Sequence, residues 1–120
     1  MPVKTILVVD DSPTERHVLV ELLSKVGYKV ITAENGLEGV DKAKKESPDL
    51  ILMDIVMPGL NGYQATRTLT RDEATKDIPV ILCSSKGQET DQIWGLRQGA
   101  SDYVVKPING RELLAKISAL

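Results

Sequence analysis

Four separated places in the chain carry side chains suited to holding or moving a charged group: Asp10-Asp11, Asp54, Ser84 and Lys106. Each follows a short apolar run: ILVV before Asp10, LILM before Asp54, VILC before Ser84 and YVV before Lys106. Three carboxylates brought to one edge repel one another, which raises at least one pKa unless a cation lies among them. With no His or Cys in the set the donors are oxygens, which suits a hard ion such as Mg2+. That ion keeps several waters and takes one or two carboxylates together with phosphate oxygens. Lys106 adds a compact cation able to pair with Asp54 or with a phosphoryl group on it, and the Ser84 hydroxyl can bond that group's oxygens. An Asp beside Mg2+ and a Lys is then a nucleophile toward an activated phosphate, because both cations offset charge in the transition state.

Singly, these features have plainer explanations. An Asp-Asp pair ahead of a helix is ordinarily a capping and dipole effect. Lys106-Pro107 alone reads as a turn, Ser84 alone as a strand-end hydroxyl, and His17 as a solvated surface residue rather than a phosphate carrier. Asp54 is harder to dismiss, since a carboxylate directly after Leu50-Ile51-Leu52-Met53 is costly to bury without a partner. What points to chemistry is their joint occurrence at the ends of four apolar runs.

The elements that must position them alternate along the chain. Continuous apolar runs predict buried strands over Thr5 to Val9, Lys29 to Ala33, Leu50 to Met53, Val80 to Ser84 and Tyr103 to Lys106. Ser12-Pro13-Thr14-Glu15 predicts a helix start, with Ser12 as N-cap, Pro13 in the first turn and Glu15 closing a capping box. That helix ends at Gly27 and presents Val18, Leu19, Leu22, Leu23 and Val26 on one face. Further helices are predicted over Gly36 to Glu46, from the turn-rich MPGLNG to about Arg71, over Gln88 to Gln98, and from Asn109 onward with Leu113, Leu114, Ile117 and Leu120 inward. Strands alternating with helices imply a doubly wound α/β fold, a five-stranded parallel sheet with five helices on its two faces. In such a sheet the functional crevice lies beyond the carboxyl ends of the strands, where the four candidate places fall.

Composition narrows the function. The chain has 120 residues, enough for one domain of ordinary size, so residues 1–120 are read as a single domain. Hydrophobic residues make up 42% and aromatic residues 3%, with no Phe, which excludes modules that stack bases on exposed rings. A net charge of -2 leaves no basic footprint for a phosphate backbone, so no nucleic-acid partner is expected. The N-terminal apolar run is too short, and too closely followed by two aspartates, for a signal peptide or membrane helix. Cys83 is the only cysteine and cannot form an internal disulfide, so a cytoplasmic location is the default.

The ordered set VVDDSPTE, LILMDIVMPGLNG, PVILCSS and GASDYVVKP resembles the receiver domain of two-component response regulators, the CheY type, over essentially the whole chain. The resemblance implies a flavodoxin-like, CheY-like sheet with strand order 2-1-3-4-5. It implies Asp54 as phosphoacceptor, Ser84 as switch hydroxyl, Lys106 as phosphoryl counter-ion and Tyr103 as switch aromatic. It also implies Mg2+ held by Asp11, Asp54 and the Val56 backbone carbonyl, with Asp10 acting through water, and a cis peptide before Pro107. The implied partners are a sensor histidine kinase of the CheA-like kind and a downstream protein that docks on the face of the fourth helix, fifth strand and fifth helix. The domain is expected to be a phosphoacceptor that assists its own phosphorylation and dephosphorylation rather than an enzyme. A narrower resemblance, carried by DDSPTE, AENGLEGV, MDIVMPGLNGYQATR and KGQETDQIWGLRQGASDY, is to PilH-type regulators of type IV pilus twitching motility.

Trp94 and Tyr103 fall on the expected partner face and predict a partly aromatic output surface. Gly95 inside the fourth helix costs about 1 kcal/mol relative to Ala, and either eases remodelling of that helix or permits close packing. Cys83-Ser84-Ser85 stands where many receivers carry a Thr followed by Ala, so the hydroxyl is kept and a methyl lost. The residues two after Asp54 and two after Ser84, Val56 and Lys86, govern water access in the family. Val56 offers no side-chain donor to attacking water, which predicts slow self-dephosphorylation. With no output segment after Leu120, output is expected through protein contact. A flavodoxin-like FMN carrier would need a Ser/Thr/Gly-rich loop where Asp10-Asp11 stand, and a haloacid-dehalogenase-type phosphatase a second Asp where Ser12 stands. A docking domain independent of phosphorylation, or a flagellar chemotaxis regulator, is the alternative reading.

Overall fold

The computed structural model describes residues 2–120. Their elements run β1 (Thr5–Val9), α1 (Pro13–Lys25), β2 (Lys29–Ala33), α2 (Gly36–Glu46), β3 (Leu50–Asp54), α3 (Gly62–Arg71), β4 (Val80–Ser84), α4 (Glu89–Arg97), β5 (Asp102–Val105) and α5 (Gly110–Ser118). The strands form one parallel sheet in the order β2-β1-β3-β4-β5, as the resemblance implied. β3 and β4 are buried at every position, and β1 at all but its first, because a parallel sheet covered on both faces leaves its inner strands no wet side. The edge strand β2 is only half-buried, which matches its mixed composition.

Two apolar cores lie on opposite faces of the sheet. One joins Leu7, Val9, Met53 and Leu82 to Val40, Ala65, Leu69 and Tyr103 beneath α2, α3 and α4. The other joins Ile6, Val8, Leu52, Ile81 and Cys83 to Leu19, Leu23, Leu113 and Ile117 beneath α1 and α5. Alternate residues of each strand enter opposite cores, as the two-residue strand period requires. No helix among the described residues is long and apolar enough to cross a membrane.

The helix starts follow their sequence signals. Ser12 caps α1 by accepting the Glu15 N–H at 3.3 Å, and Asn35, Asn61 and Asn109 cap α2, α3 and α5 in the same way. Several expectations need correction. Of the five apolar residues assigned to the inward face of α1, Leu19 and Leu23 are buried and Leu22 packs against that core, while Val18 is 58% and Val26 54% exposed. On α5, Leu120 likewise lies outside the core. The capping box at α1 is half-formed, because Glu15 sends its carboxylate to Lys106, and the Ser12 N–H donates to Asp10 instead. β3 runs one residue further than expected, to Asp54. β5 pairs over Asp102–Val105 with Ile81–Ser84, so Lys106 stands one residue past the ladder. The Lys106-Pro107 peptide is cis, as the resemblance implied.

Candidate functional site

The site is built from the places where the chain leaves the sheet. Asp10 follows β1, Asp54 ends β3, Ser84 ends β4 and Lys106 follows β5. The registers Val9↔Met53, Asp54↔Cys83 and Ser84↔Val105 bring these ends level. Gly62 then lets the start of α3 press against β3: a Cβ there would meet the Asp54 carbonyl oxygen at 2.2 Å.

Lys106 is the hub. Its Nζ lies 2.7 Å from Glu15 Oε2, 3.1 Å from Asp10 Oδ2 and 3.3 Å from Asp54 Oδ1. The predicted Lys106–Asp54 pairing is therefore present, within a larger cluster. Nothing in the sequence around Glu15 marks it for this cluster, because a capping box accounts for a Glu at that position. The only hint was that the first turn of α1 rises directly above the end of β1.

One lysine does not offset three carboxylates. Burial, aided by the Asp10 charge and opposed by Lys106, pushes the Asp54 carboxyl up to about 6. Burial also raises Asp10, against the pull of the Ser12 N–H and Lys106. Burial alone would lower Lys106, but its bonds to Glu15 and Asp10 and the charge of Asp54 hold it above an ordinary lysine. The repulsion expected among converging carboxylates is thus present, with Glu15 in the cluster where Asp11 was expected.

Ligand oxygens of Asp10, Glu15 and Asp54 lie within 4.8 Å of one another. Asp11 is exposed and outside that group. It lines, with Glu15, Asp54, Val56, Ser85, Lys106 and Pro107, an open cavity of about 480 Å³. An all-oxygen set carrying uncompensated negative charge fits Mg2+, so the donor chemistry agrees with the implied ion. The oxygens that converge, and so the donors at hand for such an ion, are those of Asp10, Glu15 and Asp54.

Ser84 stands back from the charge. Its buried hydroxyl accepts from the Lys86 N–H at 3.2 Å, and its neighbour Ser85 lines the cavity. Tyr103 is turned inward, 6% exposed, with its phenol donating to the Lys86 carbonyl. Burial, with the Tyr63 phenol adding to it, pushes the Tyr103 hydroxyl up to about 12. The expected aromatic surface is accordingly half right. Tyr103 belongs to the core, and Trp94, 48% exposed, lines a groove with Asn61, Tyr63, Gln64, Arg67 and Gln98 between α3 and α4. Gly95 serves close packing, since a Cβ there would lie 2.6 Å from Leu82 Cδ1 and 3.2 Å from the Tyr103 ring. His17 is solvated and faces Glu21 at 3.7 Å.

Comparison with known proteins gives a consistent answer. The model of the response regulator receiver domain matches residues 6–118. Protein PilH of Pseudomonas aeruginosa is 57% identical over 115 residues, covering 96% of this chain and 95% of that protein. The phosphate regulon transcriptional regulatory protein PhoB of the same organism is 43% identical over 117 residues, covering 98% of this chain and 51% of its own length. Among solved structures, chemotaxis protein CheY4 of Vibrio cholerae superposes with a TM-score of 0.90 at 29% identity over 98% of each chain. The receiver domain of a sensor histidine kinase from P. aeruginosa superposes at 0.89 with 32% identity, covering 97% of this chain and 95% of that one. That structure has a magnesium ion coordinated in its active-site cleft.

Proposed function

The chain belongs to the response regulator receiver domain family, and from that premise we propose that it is a single-domain phosphoacceptor switch whose reactive atom is an Asp54 carboxylate oxygen. The observation that carries this reading is the convergence of Asp10, Glu15, Asp54 and Lys106 at the carboxyl edge of the sheet. A sensor histidine kinase of the CheA-like kind supplies the phosphoryl group: a P–O bond to Asp54 forms as the P–N bond to the kinase imidazole breaks. Lys106 holds Asp54 before transfer and pairs with the phosphoryl oxygens after it. Asp11, Asp54 and the Val56 carbonyl would hold Mg2+, with Asp10 acting through water, and the ion would offset negative charge during the transfer.

The switch follows from the position of Ser84. Its hydroxyl must turn from the Lys86 peptide toward the phosphoryl group, and that movement is relayed to the face of α4, β5 and α5, where a downstream protein docks. The likeness to PilH favours type IV pilus twitching motility as the pathway, acting in the cytoplasm through protein contact. The domain assists its own phosphorylation and dephosphorylation without turning over another substrate. Val56, 58% exposed at the cavity and without a side-chain donor, slows water attack, so a Val56→Asn variant should lose its phosphoryl group faster than wild type.

Incubation with acetyl phosphate and Mg2+, read by intact mass, tests the reading. Wild type should gain one phosphoryl group and Asp54→Ala none. An unmodified wild type, or equal modification of both, would refute it.

A further inference from the structure

The Lys106 ammonium donates to three carboxylates, and the three do not hold it alike. Asp10 and Asp54 are buried at strand ends, so neither can turn away into water. Glu15 makes the shortest contact, 2.7 Å, yet its side chain is 47% exposed. A half-solvated carboxylate on a long side chain can give up its partner at little cost, because water takes the place of the ammonium. This asymmetry decides which contact yields when the charge in the site changes.

A local role does not account for the Glu15 carboxylate. The Ser12 N–H, which a closed capping box would give it, donates to Asp10 Oδ1 at 2.9 Å instead. The backbone of the turn is held without it. Ser12 Oγ accepts the Glu15 N–H at 3.3 Å, the Ser12 carbonyl accepts the Arg16 N–H at 3.0 Å, and the Arg16 guanidinium donates to the Asp10 carbonyl at 2.7 Å. The Glu15 side chain can therefore move while α1 stays in place. It lines the same open cavity as Asp54 and Lys106, so a phosphoryl group on Asp54 enters a space that Glu15 borders.

We propose that Glu15 is a positioning residue that holds Lys106 in the unphosphorylated site and releases it when Asp54 is phosphorylated. The inference rests on phosphorylation of Asp54 as proposed above. The phosphoryl oxygens bring further negative charge into the cavity, so Lys106 gains a stronger partner and Glu15 becomes a like charge beside it. Of the three carboxylates only Glu15 can retreat to solvent. Its contact with Lys106 thus stabilises the unphosphorylated state alone, and removing that contact favours transfer.

Two variants separate the contact from the charge. Glu15→Ala removes both, while Glu15→Asp keeps the charge and is one methylene short of the 2.7 Å contact. Glu21→Gln, on the same helix and facing His17, controls for net charge. Uptake from acetyl phosphate at saturating Mg2+ is timed by intact mass. Glu15→Ala and Glu15→Asp should both take up the phosphoryl group about threefold faster than wild type, and Glu21→Gln should match wild type within about 1.5-fold. Carbon-13 NMR of labelled Glu carboxyls, with the Glu15 signal assigned by its loss in Glu15→Ala, reads the release directly. That signal should move toward those of solvated glutamates as wild type is phosphorylated. No gain in Glu15→Asp, or an unmoved Glu15 signal in phosphorylated wild type, would overturn the role of Glu15. Absence of the adduct on wild type would instead refute the phosphoacceptor reading on which it rests.

Discussion

Helices α1 and α4 flank the same carboxyl edge of the sheet and are held there by different means. α1 runs 13 residues, is capped by Ser12 and buries Leu19 and Leu23 in an aliphatic core. It also joins the site: Glu15 meets Lys106, and Arg16 donates to the Asp10 carbonyl at 2.7 Å. α4 runs 9 residues, buries Gly95 alone, and leaves Ile93, Trp94 and Leu96 between 44% and 48% exposed. The contrast separates two tasks. The charged groups stand against a helix locked by apolar burial, while the helix behind the switch is held mainly by hydroxyl contacts that can be re-made. Burial is proportional to area and hard to exchange, whereas one neutral hydrogen bond is worth only about 1 kcal/mol net.

The largest effect should come from the locked side. Leu23→Ala empties a fully buried position and should cost about 3 kcal/mol in urea unfolding. A loss below about 1 kcal/mol would mean that α1 is not the anchor described. Next is the charge cluster. The folded-state pKa of Asp54, about 6, lies above the 3.8 of an unperturbed carboxyl, so folding favours its protonated form. The resulting penalty is absent below about pH 4, grows as pH rises to about 6 and is constant above. Asp54→Asn in chelator should therefore be more stable than wild type by about 2 kcal/mol at pH 7, with the gain vanishing near pH 4. A pH-independent difference would place its cause outside the titration of Asp54.

On the other side of the comparison the effects shrink. Gly95→Ala gains about 1 kcal/mol of helix propensity but drives a methyl into Leu82 and the Tyr103 ring, for a net loss of about 1 kcal/mol. A stabilised variant would show that α4 does not need this close approach. Leu96→Ala, at a half-exposed position, should cost less than about 1 kcal/mol by the same unfolding measurement. A cost equal to that of Leu23→Ala would erase the distinction between the helices.

Much of this architecture is legible in the sequence, for identifiable reasons. The inner strands are continuous apolar runs closed by Asp or Ser, and four of the five helix starts carry Ser or Asn caps, so the element order and most boundaries follow from local signals. The meeting of Asp10, Asp54 and Lys106 was legible through strand ends, because a parallel sheet brings all its carboxyl edges to one side, although Asp11 at the same strand end lies outside the group. Glu15 was not, since its partner Lys106 is 91 positions away and a local cap explained the residue equally well. Val18 and Val26 share the helical period of Leu19 and Leu23, and only the width of the core decides which of them it covers. Tyr103 and Tyr63 carry no periodic signal at all; their inward phenols are visible only once β5, α3 and the loop after β4 are placed together.

The division between a fixed site and a movable reader is tested most directly by hydrogen exchange on wild type, before and after phosphorylation with acetyl phosphate and Mg2+. The first turn of α4, residues 88–92, should change its exchange markedly, while residues 13–25 of α1 stay as they were. Equal change in both helices, or change confined to α1, would contradict it.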